Sequence, residues 1–317
     1  MPASEPGWRL PEPARIDFHA LPDGARLRTL VLPAAQPRAN LLLLGGRADF
    51  LEKSAETIAD LHSAGFTVAA FDWRGQGLST RLLETGAGHI DSFDIFLADL
   101  DHLSDTLADD IAGSWVAIAH SMGAHLLLRW LADPARRGHP FRARLHAAAL
   151  TAPFCGLAMP APLSAAVLLA AGGQVRNRRG ARFAWGQEPF GPRQTSLARQ
   201  MILTHCPRRF AEERLWVEAN PALACGGVTW GWIDAFARSE IALEALPLEA
   251  LELPLLALLA AEERLVSNRA ALRVLARIPS ATVDIIEGAA HEILRERDEI
   301  RARALSRIRA FLARNIP

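Results

Sequence analysis

The sequence lacks net charge, because 35 lysine and arginine residues balance 35 aspartate and glutamate residues. That balance removes the basic footprint of a protein that holds nucleic acid or an anionic membrane through overall charge. Cysteine is scarce as well. Cys155, Cys206 and Cys225 form an odd set without metal-ligand spacing, so they read as reduced thiols rather than a disulfide framework. No apolar run reads as a membrane span. Residues 161–172 are too short, and residues 241–261 are interrupted by Glu244, Glu249, Glu252 and two prolines. The opening MPASEPGWRLPEPAR has no apolar core behind a basic head, so it does not read as a secretory leader. A soluble cytoplasmic protein is expected, with peripheral contact at the inner face of a membrane left open. Internal repeats and a low-complexity tail are also absent, as is G-x-G-x-x-G, which excludes a dinucleotide fingerprint.

What is present is enough apolar sequence, half of 317 residues, for one large core with room for an inserted subdomain. Residues 15–19 and 25–32 flank Pro22-Asp23-Gly24 and predict an N-terminal hairpin. Short apolar runs at 40–46, 66–72, 114–120, 144–153, 253–261 and 281–288 predict strands covered on both faces. Helical patterns fall between them at 51–64, 93–108, 122–132, 267–277 and 292–313. This alternation predicts an α/β fold with a mainly parallel central sheet and helices on both faces. The rhythm breaks over residues 154–245, rich in Gly, Pro, Arg and Trp, with one helix expected near 163–171. That stretch reads as an inserted cap, leaving 1–153 and 246–317 as the core.

Ser121 stands where the apolar strand VAIAH turns into the helical segment MGAHLLLRW. A serine there sits on a tight turn above the sheet, beside a helix N-terminus whose N–H groups favour negative charge. The pattern Ala119-His120-Ser121-Met122-Gly123 departs from G-x-S-x-G by one methyl group at Ala119. A neutral hydroxyl needs a base, and the base needs an orienting acid. His291, in the loop after strand 281–288, stands at the sheet edge that carries Ser121. Glu262 and Glu263 follow strand 253–261, and either can supply the carboxylate. No acid follows the strand at 144–153. Oxyanion donors are expected from the backbone of Met122 and from Arg47 in the turn Gly45-Gly46-Arg47.

Several longer segments resemble the lysophospholipase L2 and monoacylglycerol-lipase branch of the α/β-hydrolases. They are GGRADFLEK at 45–53, FDWRGQGLSTR at 71–81, GHIDSFDIFLADL at 88–100 and AHSMGAHLLLRW at 119–130. Others are NPALACGGVTWGWIDAFARS at 220–239, PLLALLAAEERLVSN at 254–268 and GAAHEILRERDEIRARAL at 288–305. The resemblance implies an α/β-hydrolase fold, Ser121 as nucleophile, His291 as base and Glu263 as acid where aspartate is usual. It implies oxyanion amides at Arg47 and Met122, no cofactor, and a monoacyl lipid ester as substrate. The departures are Ala119 and Ala124 for glycines, and Gly45 where relatives often carry histidine.

Other residues admit two readings. Arg176, Arg178, Arg179 and Arg182 form a solvated basic loop or a phosphate-headgroup contact. Arg74 is expected to tie loops together through carbonyls or Asp72. His89, His120 and His125 lack a convergent metal-ligand set. Trp230, Trp232 and Phe236 either face a pocket or pack within the cap. A short-chain carboxylesterase, an aminopeptidase or an acyltransferase could use the same three residues. A noncatalytic binding protein fits least, since no required group is missing.

Overall fold

The computed structural model describes residues 5–317, so residues 1–4 of the expected core lie outside the described residues. The chain opens with β1 (Arg15–Ala20), β2 (Arg26–Leu32), β3 (Ala39–Leu44), α1 (Ala55–Ser63) and β4 (Phe66–Phe71). Next come α2 (Phe93–Asp110), β5 (Trp115–His120), α3 (Met122–Ala132), α4 (Pro140–Arg144) and β6 (Leu145–Thr151). Four helices follow before the sheet resumes: α5 (Ala161–Arg176), α6 (Leu197–Leu203), α7 (Pro207–Ala219) and α8 (Trp230–Ala245). The chain closes with β7 (Leu255–Ala260), α9 (Asn268–Leu275), β8 (Ala281–Ile286) and α10 (Asp298–Asn315).

The strands form one eight-stranded sheet in the order β1-β2-β4-β3-β5-β6-β7-β8. Pairing is antiparallel for β1 with β2 and β2 with β4, and parallel from β4 to β8. Side chains alternate between two cores because successive strand residues point to opposite faces. Leu42, Leu44, Trp115, Ala117 and Ala119 join the core that α2, α3 and α9 cover. Leu41, Leu43, Val116 and Ile118 join the core that α1 and α10 cover. Fully burying each large aliphatic side chain contributes about 1.5–3 kcal/mol, which is why unbroken apolar runs form these central strands. A mixed α/β fold with a helical subdomain inserted between β6 and β7 results.

Chain order places the functional edge. From β3 the chain steps outward to β4, then returns to the other side of β3 as β5. The loops after β3 and β5 therefore diverge and leave a crevice at the carboxyl ends of the strands. Gly45–Arg47 leave one side of that crevice and Ser121 the other.

The structure departs from expectation chiefly at two helix starts and in the insertion. The helix expected from 51 begins as a 3-10 turn, Leu51–Ser54. The last helix begins at Asp298 rather than near 292. Buried Glu296 accepts the amides of Ala290 at 2.9 Å and His205 at 3.0 Å, and these bonds hold the His291 loop open before the helix starts. The insertion holds four helices where one was expected.

Gly123, in the first turn of α3, lies under the loop that follows β3. A methyl group there would meet the Gly45 carbonyl oxygen at 2.5 Å and that of Leu44 at 2.8 Å. Backbone cannot yield cheaply to such a contact. Gly123→Ala is expected to destabilise the fold by about 1–3 kcal/mol, read from urea unfolding. An unchanged midpoint would show that the two backbones do not pack this closely.

Candidate active site

Ser121 ends β5 with φ 49° and ψ −112°, a conformation a non-glycine residue rarely adopts. Holding it costs on the order of 1–3 kcal/mol. Three backbone bonds fix it: the Ser121 amide donates to Thr151 at 2.9 Å, and its carbonyl accepts from His125 and Phe154 at 3.1 Å. The strain falls on Ser121 itself. Ala119 lies in the strand, fully buried and paired with Leu44 and Leu150, so its methyl group meets no demand for positive φ.

The Ser121 hydroxyl lies 3.0 Å from His291 Nε2, and His291 Nδ1 lies 2.8 Å from Glu263 Oε2. A carboxylate accepts only, so Nδ1 carries the ring proton and Nε2 is free to accept one. The other oxygen of Glu263 accepts the amides of Leu265 at 2.8 Å and Val266 at 3.1 Å. Burial pushes the Glu263 carboxyl up, but the His291 bond and these two amides outweigh it and hold it below its ordinary value. Adjacent Glu262 points elsewhere: it is half exposed and sits 3.4 Å from His205. The structure thus brings together Ser121, His291 and Glu263, and leaves Glu262 outside.

The loop after β3 is tied down atom by atom. Trp73 Nε1 donates to the Gly45 carbonyl at 2.8 Å, and Gln76 Nε2 donates to that of Gly46 at 2.7 Å. The Gly46 amide donates to Asp49 at 2.6 Å and the Ala48 amide to Gln76 at 3.0 Å. Between them the Arg47 amide has no partner among the described residues. Neither does that of Met122, the first residue of α3. Gly46 passes so close to the turn that a methyl group would touch His120 at 3.0 Å and Ser121 at 3.2 Å.

Behind the turn lies a buried charge cluster that sequence reasoning missed. Lys53, the only lysine in the chain, contacts Asp49 at 2.9 Å, Glu213 at 3.1 Å and Glu292 at 2.8 Å. Burial lowers the affinity of its ammonium for a proton, but the three carboxylates overcome burial and hold it well above the ordinary lysine value. An ammonium offers three donors around one point, whereas a guanidinium is a planar fork. Through Asp49 this lysine braces the Gly46 turn, through Glu292 the neighbour of His291, and through Glu213 the inserted helix α7. The Asp49/Lys53 spacing was visible as one helical turn; Glu213 and Glu292 are too remote in sequence to suggest themselves.

The remaining candidates go to separate places. His120 packs against His291 with the rings tilted and their centroids 5.0 Å apart, and burial followed by the charge of His291 pushes it down to about 4. His89 bonds Thr229 and His125 bonds Ser239. Arg74 does tie loops, but through Asp99 and Asp23 rather than Asp72, which is taken by Arg28 and the Leu51 and Leu78 amides. Trp230, Trp232 and Phe236 line a cavity of about 470 Å³ that opens on Ser121. Arg176, Arg178, Arg179 and Arg182 are exposed and do not line it. All three cysteines are buried and free. No helix of the described residues is long and apolar enough to cross a membrane.

A strained serine between a parallel strand and a buried helix, on a sheet of this order, defines a serine-hydrolase-type enzyme of the α/β-hydrolase superfamily. A family model described as "Serine aminopeptidase, S33" matches residues 35–298, and the chain belongs to that family. It is similar to lysophospholipase L2 of Escherichia coli, 32% identical over 87% of this chain and 80% of that one. It is also similar to a probable lysophospholipase L2 of Haemophilus influenzae, 28% identical over 90% of this chain and 87% of that one. Among solved structures, a soluble variant of monoglyceride lipase from Saccharomyces cerevisiae shares the fold. Its TM-score is 0.78 at 14% identity, covering 99% of each chain. Monoacylglycerol lipase of Paleococcus ferrophilus does so at a TM-score of 0.68 and 17% identity, covering 91% of this chain and 99% of that one.

Removing the buried cation should uncover three acids at once. Lys53→Met is expected to cost about 3–5 kcal/mol of stability, because it leaves buried charge uncompensated. Lys53→Arg should recover only part of this, since a planar fork cannot replace three convergent donors. Denaturant midpoints for both variants test this; full recovery by arginine would contradict the geometric argument.

Proposed function

We propose that this chain hydrolyses carboxylic esters of monoacyl lipids, lysophospholipids or monoacylglycerols, through an acyl-enzyme on Ser121. The observation that carries this reading is the relay from Ser121 to His291 to Glu263, at 3.0 and 2.8 Å, beside a cavity walled by Phe154, Trp232, Phe236 and Val266. His291 Nε2 takes the hydroxyl proton as Ser121 Oγ bonds to the ester carbon. Glu263 fixes the ring and stabilises its positive form. The amides of Arg47 and Met122 hold the oxyanion, each such donor contributing roughly 3 kcal/mol in a serine enzyme. The carbon–oxygen bond to the alcohol then breaks, and His291 returns the proton to the leaving oxygen. Water repeats the attack, and the free acid departs.

An ester rather than an amino-terminal peptide is favoured by the wall of the cavity. Recognition of a free ammonium group calls for a carboxylate, and none lines the cavity among the described residues. Residues 154–245 are proposed as the cap over this site. Leu169, Trp185 and Leu197 are about 70% exposed there, which supports peripheral contact with a lipid surface.

Turnover of lysophospholipids, monoacylglycerols, short esters and proline amides by wild type and Ser121→Ala tests the proposal. The variant is expected to lose kcat by at least about ten-thousand-fold. Glu263→Gln should lose about as much, while Glu262→Gln should stay within about twofold. Persistent turnover in Ser121→Ala would overturn the nucleophile, preference for amides would overturn the lipid substrate, and loss only in Glu262→Gln would reassign the acid.

A further inference from the structure

Ester cleavage needs an apolar wall and two amides, yet the Ser121 cavity carries more. Arg47, Arg193, Arg199 and Arg264 line it, and no aspartate or glutamate does among the described residues. This segregation is unusual in a chain whose charges cancel. Elsewhere the buried arginines are paired: Arg28 with Glu52, Arg74 with Asp99, Arg209 with Glu56 and Arg301 with Asp60. In the cavity, Arg47 donates to the Gly226 carbonyl at 3.2 Å and Arg193 to that of Gly186 at 2.6 Å, neither of which neutralises charge.

Arg199, on α6, is the clearest case. It is mostly buried, and burial followed by the charge of Arg47 weakens its hold on its proton. No hydrogen-bond partner or paired carboxylate meets its guanidinium among the described residues. Glu213 and Glu292 offset part of the cost of burial from a distance, but both are held by Lys53. A buried guanidinium without a direct partner is costly unless a ligand supplies one. Guanidinium groups present planar forks that match the oxygens of a phosphate.

We propose that Arg193 and Arg199, with Arg47 and Arg264 beside them, form a headgroup subsite that holds the phosphate of a monoacyl glycerophosphate ester. The inference rests on the ester-hydrolase reading and narrows it. A headgroup whose net charge is negative is preferred to a zwitterionic one, whose ammonium finds no carboxylate in the wall. Both are preferred to an uncharged monoacylglycerol.

The test compares three esters of one acyl chain, below their micelle concentrations: lysophosphatidate, lysophosphatidylcholine and monoacylglycerol. Wild type is expected to favour lysophosphatidate over monoacylglycerol by at least about tenfold in kcat/KM, with lysophosphatidylcholine between them. Arg199→Gln should lower kcat/KM for lysophosphatidate by about 30-fold, and that for monoacylglycerol by far less. Arg193→Gln, at an exposed position, provides a second variant that should compress the same ratio. Equal turnover of the three esters by wild type would overturn the headgroup subsite and leave ester hydrolysis standing. Absence of turnover on every ester would overturn the hydrolase reading, and this inference with it. Inhibition of monoacylglycerol turnover by inorganic phosphate, without any headgroup preference, would assign the arginines to a free anion and overturn the proposal.

Discussion

One strained residue organises this molecule. Ser121 is held at positive φ where a parallel strand meets a helix, and a side chain there gains nothing locally from that geometry. The surroundings must impose it. They do so through the Thr151, His125 and Phe154 bonds, through the approach of the β3 loop over Gly123, and through α3, whose eleven residues are all buried. The switch in strand order between β3 and β5 then brings a second backbone loop to the same turn. Its carbonyls are occupied by Trp73 and Gln76, and one amide is left over.

Charge is handled by segregation rather than by number. A single lysine with three carboxylates braces the rear of the turn, where the Asp49 and Glu292 loops meet helix α7 and a point donor fits. Paired arginines tie core helices and loops together, as Arg301 does for α10 and α1. Among the described residues no aspartate or glutamate lines the cavity beside its arginines, so positive charge faces the space where substrate is proposed to lie. The chain's zero total conceals all three arrangements, because a sum carries no information about position.

The core was legible because burial on both faces leaves an unmistakable mark: runs such as NLLLL and WVAIA become β3 and β5 within a residue or two. Ser121, His291 and the pair at 262–263 were legible through their places after strands, since parallel topology sends those loops to one edge. The preference for Glu263 over Glu262 leaned on the family resemblance, because adjacent residues in a loop have no periodicity to tell their directions apart. The cap was read as a break in rhythm rather than as four helices. In α8 the buried positions Trp232, Ala235, Phe236, Ser239 and Leu243 are helically spaced, but alanine and serine dilute the stripe. The basic cluster at 176–182 drew attention by density in sequence, whereas Arg47, Arg193, Arg199 and Arg264 converge only in three dimensions. The convergence of Glu213 and Glu292 on Lys53 was invisible for the same reason.

The central claim is that Ser121 is a nucleophile made reactive by His291 and Glu263. Incubation with a fluorophosphonate, followed by mass spectrometry of the intact chain and of its peptides, tests it most directly. The account predicts one phosphonyl adduct per chain, on Ser121, formed in step with the loss of esterase activity. Ester turnover that survives with Ser121 unmodified, or an inactivating adduct on another residue, would contradict it.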